Sequence, residues 1–230
     1  MRPLIRPSGV AKPALRGFTL IELLVAITVM ALIAILSWRG IDGMVRTQEA
    51  TRQRADDMLV LQASLAQWGA DLDALVSPLA HTTPLDWDGQ VLRMTRRSTA
   101  VPDEGPVVVA WTRRETNAGA QWLRWQSPTV RTRTQWQEAW ARAAQWARTP
   151  GDAERRSEVA LIPIDGWQLF YYRGGAWSNA LSSVGTVPGT DGSSTLPEGI
   201  RLQITLSPGG ALSGLLVRDW INPALGGSRT

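Results

Sequence analysis

The sequence predicts an α+β fold in which one long N-terminal helix, half of it in a membrane, packs on antiparallel β-sheet. Three observations predict it. Residues 18–37 form an almost unbroken apolar run. Residues 38–76 contain no proline and carry an apolar stripe at helical period. Beyond Pro78 the pattern changes to short alternating or β-branched segments separated by turn residues.

The elements follow in order. The apolar run, about 20 residues with Glu22 as its single charge, is long enough to span a bilayer as a helix. Trp38 suits an anchor at the headgroup level. Past it, Met58, Leu61, Leu65, Trp68, Leu72 and Leu75 alternate spacings of three and four, which is one narrow face of a helix. The polar residues 47–57 read as a solvated collar, and Gly40 and Gly43 as a looser stretch. Ser77-Pro78 is the expected helix end, because a residue before proline avoids the α region.

Strands are expected at 90–96, 105–112 and 121–126, the last two as a hairpin. Residues 159–164 and 166–172 read as a second pair around Asp165-Gly166. Residues 200–206 and 212–220 read as a third, across the turn Ser207-Pro208-Gly209-Gly210. Residues 134–148 look helical, with Trp136 and Trp140 at i, i+4. Residues 178–197, rich in Gly, Ser, Thr and Pro, read as a long loop, and 222–230 as a flexible tail. The chain divides into a basic leader at 1–17, a transmembrane helix at 18–38, its continuation at 39–77, a β-rich globular part at 78–221 and the tail.

Charge sharpens this division. The net charge is +4, but four of the 24 basic residues (Arg2, Arg6, Lys12 and Arg16) lie in the leader with no acid among them. Glu22 is one of the 20 acids, so beyond the apolar run 20 basic residues face 19 acidic ones. A near-neutral domain gives no bulk case for nucleic-acid binding. The leader charge instead holds the N-terminus in the cytoplasm, with the rest of the chain on the other side. Cysteine is absent, which removes disulfides, thiolate metal sites and a cysteine nucleophile.

The most specific motif is Arg16-Gly17-Phe18-Thr19-Leu20-Ile21-Glu22. Phe18 and Glu22 are i and i+4 and share one helix face. A carboxylate at membrane depth costs roughly 2.5–3.5 kcal/mol on insertion scales. It is tolerable once an ammonium meets it inside a protein bundle. A secretory signal has a shorter apolar core and a small-x-small cut site, and Trp38-Arg39-Gly40 is no such site.

These residues resemble the class III signal of type IV prepilins and type II secretion pseudopilins. The resemblance implies cleavage between Gly17 and Phe18 by a prepilin peptidase, N-methylation of Phe18, and pairing of Glu22 with the amino terminus of a neighbouring subunit during assembly. It also implies a single-pass inner-membrane protein, N-terminus cytoplasmic and C-terminal domain periplasmic, with a pseudopilin-like fold.

Further along, Val107-Val108-Val109-Ala110-Trp111, Gln121-Trp122-Leu123-Arg124-Trp125, Asp165-Gly166-Trp167-Gln168-Leu169-Phe170-Tyr171 with Trp177, residues 196–206 and Leu216-Val217-Arg218-Asp219-Trp220 resemble the J-type minor pseudopilins of type II secretion. The Trp-rich helical insert at 134–148 departs from that family, which more often has a short strand and loop there. Glu22 also separates the chain from K-type subunits, which lack a carboxylate at this place. The J-type resemblance implies a structural subunit of the pseudopilus tip complex that assists export of folded proteins across the outer membrane. Its implied partners are I-type and K-type minor pseudopilins, the major pseudopilin, the prepilin peptidase and the inner membrane.

Residues that could carry chemistry are few. His81, the single histidine, lies in a polar loop with Asp86 and Asp88 nearby, and reads as solvated rather than catalytic. The loop acids Asp86, Asp88, Asp103, Glu104, Asp152, Glu154 and Asp191 lack the spacing of a calcium loop, and Asp-Gly pairs read as turns. No catalytic residue, metal or cofactor is expected. Trp122, Trp125, Trp136, Trp140 and Trp146 read either as core and partner interface or as an exposed platform for a glycan or exported protein. The alternatives to the secretion reading are a minor pilin of a type IV pilus, for adhesion, motility or DNA uptake, and a membrane-anchored periplasmic Trp-rich binding module.

Overall fold

The computed structural model describes residues 17–76, 84–98, 105–182 and 196–224. The chain forms two units, Met1–Arg52 and Gln53–Thr230. One helix, α1 (Leu20–Asp73), contributes to both. It passes Gly40 and Gly43 without a break, and the polar stretch 47–57 is regular helix.

In the first unit every described residue is exposed. α1 is the one helix among the described residues long and apolar enough to cross a membrane. Thr28 donates its hydroxyl to the carbonyl of Leu24 at 2.8 Å, which satisfies the only hydroxyl between Leu20 and Leu36.

In the second unit the predicted stripe turns inward. Leu61, Trp68 and Leu72 are buried and Leu65 and Leu75 half-buried, while Met58 stays 42% exposed. α1 ends at Asp73, short of the expected stop at Ser77. The reason is tertiary. The backbone of 74–76 joins the sheet instead, with Val76 N–H donating to Thr95 and Arg97 N–H donating to Ala74.

Eight strands follow among the described residues: β1 (Leu85–Trp87), β2 (Val91–Arg97), β3 (Pro106–Thr116), β4 (Gly119–Thr129), β5 (Glu158–Arg173), β6 (Ala176–Asn179), β7 (Gly199–Leu206) and β8 (Gly214–Ile221). Two helices, α2 (Arg133–Arg148) and α3 (Asp152–Arg156), sit between β4 and β5. All pairings are antiparallel, in the order β1-β2-β3-β4-β5-β7-β8, with β6 on β5.

The strands expected at 159–164 and 166–172 are not a pair. They are one 16-residue strand, β5. Its first half pairs β4 and its second half pairs β7. Asp165 is the extra residue of a bulge between Ile164 and Gly166, and its carboxylate accepts from the Ser207 hydroxyl at 2.6 Å. A turn-like dipeptide thus re-aims a strand rather than ending it.

Two further expectations change. Residues 178–179, at the start of the supposed long loop, belong to β6 (Ala176–Asn179), and 183–195 lie outside the described residues. Asn222, assigned to the tail, is buried, with its N–H on the Glu198 carbonyl at 2.9 Å; 225–230 lie outside the described residues.

Strand alternation builds two cores. Leu92, Met94, Val109, Trp111 and Trp122 join Trp68 and Leu72 of α1, continuing into Ile162, Leu169, Ile200, Leu202 and Ile204. On the opposite sheet face Val91, Val108, Ala110, Leu123 and Trp125 pack with Trp136, Ala139, Ala143 and Trp146 of α2. β3 is thus buried on both faces, which explains its continuous apolar run.

Candidate functional site

Gly17 and Phe18 lie immediately before α1, both exposed, Phe18 at 86%. A Cβ built on Gly17 meets nothing within 4 Å. Folding therefore makes no demand for glycine here. Thr19 caps the helix. The Glu22 carboxylate accepts from Thr19 N–H at 2.9 Å and from its hydroxyl at 2.8 Å, while Glu22 N–H reaches the Thr19 hydroxyl at 3.4 Å. This is a capping box, in which two otherwise orphaned N–H groups are satisfied reciprocally. Its signal, Thr-x-x-Glu before an apolar run, is present in the sequence at Thr19–Glu22. α1 begins at Leu20, so Phe18 lies just outside the helix and does not share a helical face with Glu22 as its i, i+4 spacing predicted, while Thr19 holds the Glu22 carboxylate at the helix start.

A second constellation lies in the Gln53–Thr230 unit. Asp71 is fully buried and points from α1 into the sheet. It accepts from Trp111 Nε1 at 2.9 Å, from Arg124 Nε at 2.8 Å and Nη2 at 2.9 Å, and from Gln67 Nε2 at 2.9 Å. Arg96 Nε lies 3.0 Å away as a second ion pair. Burial pulls the Arg96 pKa down and the Asp71 charge opposes that pull. Gln126 accepts from both guanidinium groups at 3.0 Å. The two arginines bind a carboxylate already shared with Trp111, so the cluster joins helix to sheet and offers no open ligand position. Sequence reasoning missed it. Its signal was an acid three residues after Trp68 on the apolar stripe.

His81, Asp103, Glu104 and Asp191 lie outside the described residues. Asp86 is not in a loop but in β1, ion-paired with Arg93 across the ladder. Asp88 accepts from the N–H groups of Gln90 at 2.9 Å and Val91 at 2.8 Å, which is turn formation. Asp152 and Glu154 occupy the first turn of α3, where Glu154 accepts from Gly151 N–H at 3.1 Å. No group of three His, Cys, Asp or Glu among the described residues is placed to hold a metal ion. Burial raises the Tyr171 phenol far above its ordinary pKa, so it stays neutral.

The tryptophans settle the choice between platform and core. Trp122 and Trp146 are fully buried, Trp125 and Trp136 buried, and Trp140 half-buried. Trp136 stacks on Trp140 at 5.0 Å and donates Nε1 to the Thr95 hydroxyl at 2.9 Å. Trp146 donates to Glu158 at 2.7 Å, beside Arg114. Rings buried inside a core form no exposed platform, so the Trp-rich binding module loses its support.

Two sequence families cover this arrangement. The prokaryotic N-terminal methylation motif matches residues 14–38. The family described as type II secretion system (T2SS), protein J, matches residues 39–217, which is most of the chain. The chain belongs to the protein J family of the type II secretion system. It is a minor pseudopilin. Among solved structures it is similar to a chain of the GspK-GspI-GspJ complex from the enterotoxigenic Escherichia coli type 2 secretion system, with 14% identity, 72% of this chain and 96% of that chain covered, and a TM-score of 0.44. Family membership decides between secretion and a type IV pilus. The α2 insert, which departed from the J-type pattern in sequence, is accommodated inside the matched region as a cover for the second sheet face.

Proposed function

We propose that this J-family chain is made as a precursor and cut between Gly17 and Phe18 by a prepilin peptidase. Phe18 is then N-methylated, and the subunit enters a pseudopilus tip complex. The observation that supports this most is the Phe18–Glu22 pair at the start of an exposed apolar helix, within a methylation motif and ahead of a protein J domain. Cleavage creates an ammonium at Phe18, and a methylated amine still carries its proton. A Glu22 carboxylate in lipid is costly, and Thr19 supplies only two of its hydrogen bonds. The ammonium of a neighbouring subunit supplies the missing counter-charge.

The same reading places α1 once across the inner membrane, the leader in the cytoplasm and the sheet domain in the periplasm. The partners are I-type and K-type siblings and the major pseudopilin. The role is structural, without catalysis by this chain, in helping folded proteins cross the outer membrane.

The test is processing. Because the fold makes no demand for Gly17, Gly17→Val isolates the peptidase's demand. Coexpressed with a prepilin peptidase, it should accumulate as unprocessed precursor while the parent chain is cut. Normal cutting and methylation of the variant would overturn the cleavage site.

A further inference from the structure

The two ends of the sheet are finished differently. β1 is three residues long and carries the Asp86–Arg93 ion pair, so it offers little to another strand. β8 is eight residues long, pairs β7 without any register shift, and has no proline or lysine. No strand among the described residues pairs with its other edge. Natural edges are usually blunted by charge, proline, bulges or shortness. β8 carries two charges, Arg218 and Asp219, and the second is neutralised: Arg201 grips that carboxylate through Nε and Nη2, each at 2.7 Å.

The ladder fixes which groups face outward. Asn222 N–H donates to Glu198, and hydrogen-bonded pairs alternate along an antiparallel ladder. The N–H and C=O groups of Leu215, Val217, Asp219 and Ile221 therefore point away from β7. The same residues expose apolar side chains, at 66% for Leu215, 49% for Val217 and 75% for Ile221. Arg218, on the other sheet face, is exposed and has no ion pair among those described.

We propose that the outer edge of β8 is a docking site for an extended strand of a sibling minor pseudopilin. That strand carries alternating apolar residues beside Leu215, Val217 and Ile221, and a carboxylate opposite Arg218. The unpaired main chain selects a strand, because only an extended segment satisfies four outward pairs at once. Charge disfavours one register of a second copy of this chain: antiparallel self-pairing centred on Arg218 sets Arg218 against Arg218, and the register centred on Val217 leaves Arg218 opposite Leu216 with no counter-charge. The assignment deepens the proposed tip-complex role and rests on it.

The test uses the full chain in detergent, alone and coexpressed with its I-type and K-type siblings, read by hydrogen–deuterium exchange. In the complex, amides of 215–221 that point outward should exchange at least about tenfold more slowly than in the chain alone. Val217→Pro removes an outward N–H and leaves the β7 ladder its bonds. It should weaken the complex at least about tenfold, whereas Val217→Thr, which keeps the N–H, should bind like the parent. A complex that forms with this edge unprotected, or that tolerates Val217→Pro, would overturn the site and leave the partner reading intact. No complex with either sibling would overturn both. Protection that rises with concentration in the chain by itself would make the occupant a second copy and overturn the assignment.

Discussion

Asp71 sits at 0% exposure with two guanidinium groups and an indole N–H around it. Such a site tolerates no half-measures. Removing one partner of a buried ion pair typically costs about 3–5 kcal/mol, because the other charges remain buried. Asp71→Asn should therefore cost several kcal/mol, read as a fall in the melting temperature by near-UV circular dichroism. Two indoles that touch in the core give a sharper comparison. Trp111 and Trp122 pack 4.4 Å apart, but Trp111 donates to Asp71 while the buried Trp122 Nε1 has no acceptor among the described residues. Trp111→Phe should be the more damaging by about 1.5–3 kcal/mol, the worth of a hydrogen bond to a charged group. Equal losses would show that ring volume alone matters. At the other end of the chain, Glu22→Ala should leave cleavage intact but reduce crosslinking to siblings in membranes. Unchanged crosslinking would remove the pairing role from Glu22.

α2 illustrates how an amphipathic insert is held. Thr132 and Gln135 form a capping box at its start, and the helix stops ahead of Thr149-Pro150. Between them Ala139 and Ala143 lie fully buried against the sheet, where small side chains allow close approach. Ala143→Glu would bury an unpaired carboxylate, so α2 should detach and Trp146 fluorescence shift to the red. An unshifted spectrum would place that face outside the core. The α1 stripe answers to the same logic. Leu65→Asp should cost several kcal/mol, and Met58→Asp, at a 42% exposed site, under about 1 kcal/mol. Both amphipathic patterns were legible because a helix repeats its buried face at a fixed period. The bulge at Asp165 was not, since the same Asp-Gly pair serves a turn or a bulge depending on which strands flank it.

The molecule divides its labour between two units with opposite surfaces. Residues 17–52 bury nothing in the chain itself, whereas 53–224 contain both cores. A chain beginning at Gln53 should thus be soluble and melt cooperatively, with Asp71, Arg96 and Arg124 still engaged. Loss of the cooperative melt would mean that the exposed half of α1 contributes to folding. The tryptophans of 122–146, read from sequence either as core and interface or as an exposed platform, fill the cores, and the exposed large apolar side chains are most numerous on the first half of α1, with others on β8.

The sequence alone determined what local chemistry can encode. The Gly17–Phe18–Glu22 spacing, the apolar run, the helical stripe and the alternating strands each repeat within a few residues, so the α+β class and the family resemblance could be read from them. Only the tertiary structure decided what depends on distant partners. It set the end of α1, because β2 takes the backbone of 74–76, and it merged two expected strands into β5, because β4 and β7 claim different halves of it. It also turned Asp71, Arg96 and Arg124 from ordinary charges into a buried junction. A charge's fate depends on what lies opposite it, and residues 71 and 124, far apart in sequence, meet only through the fold.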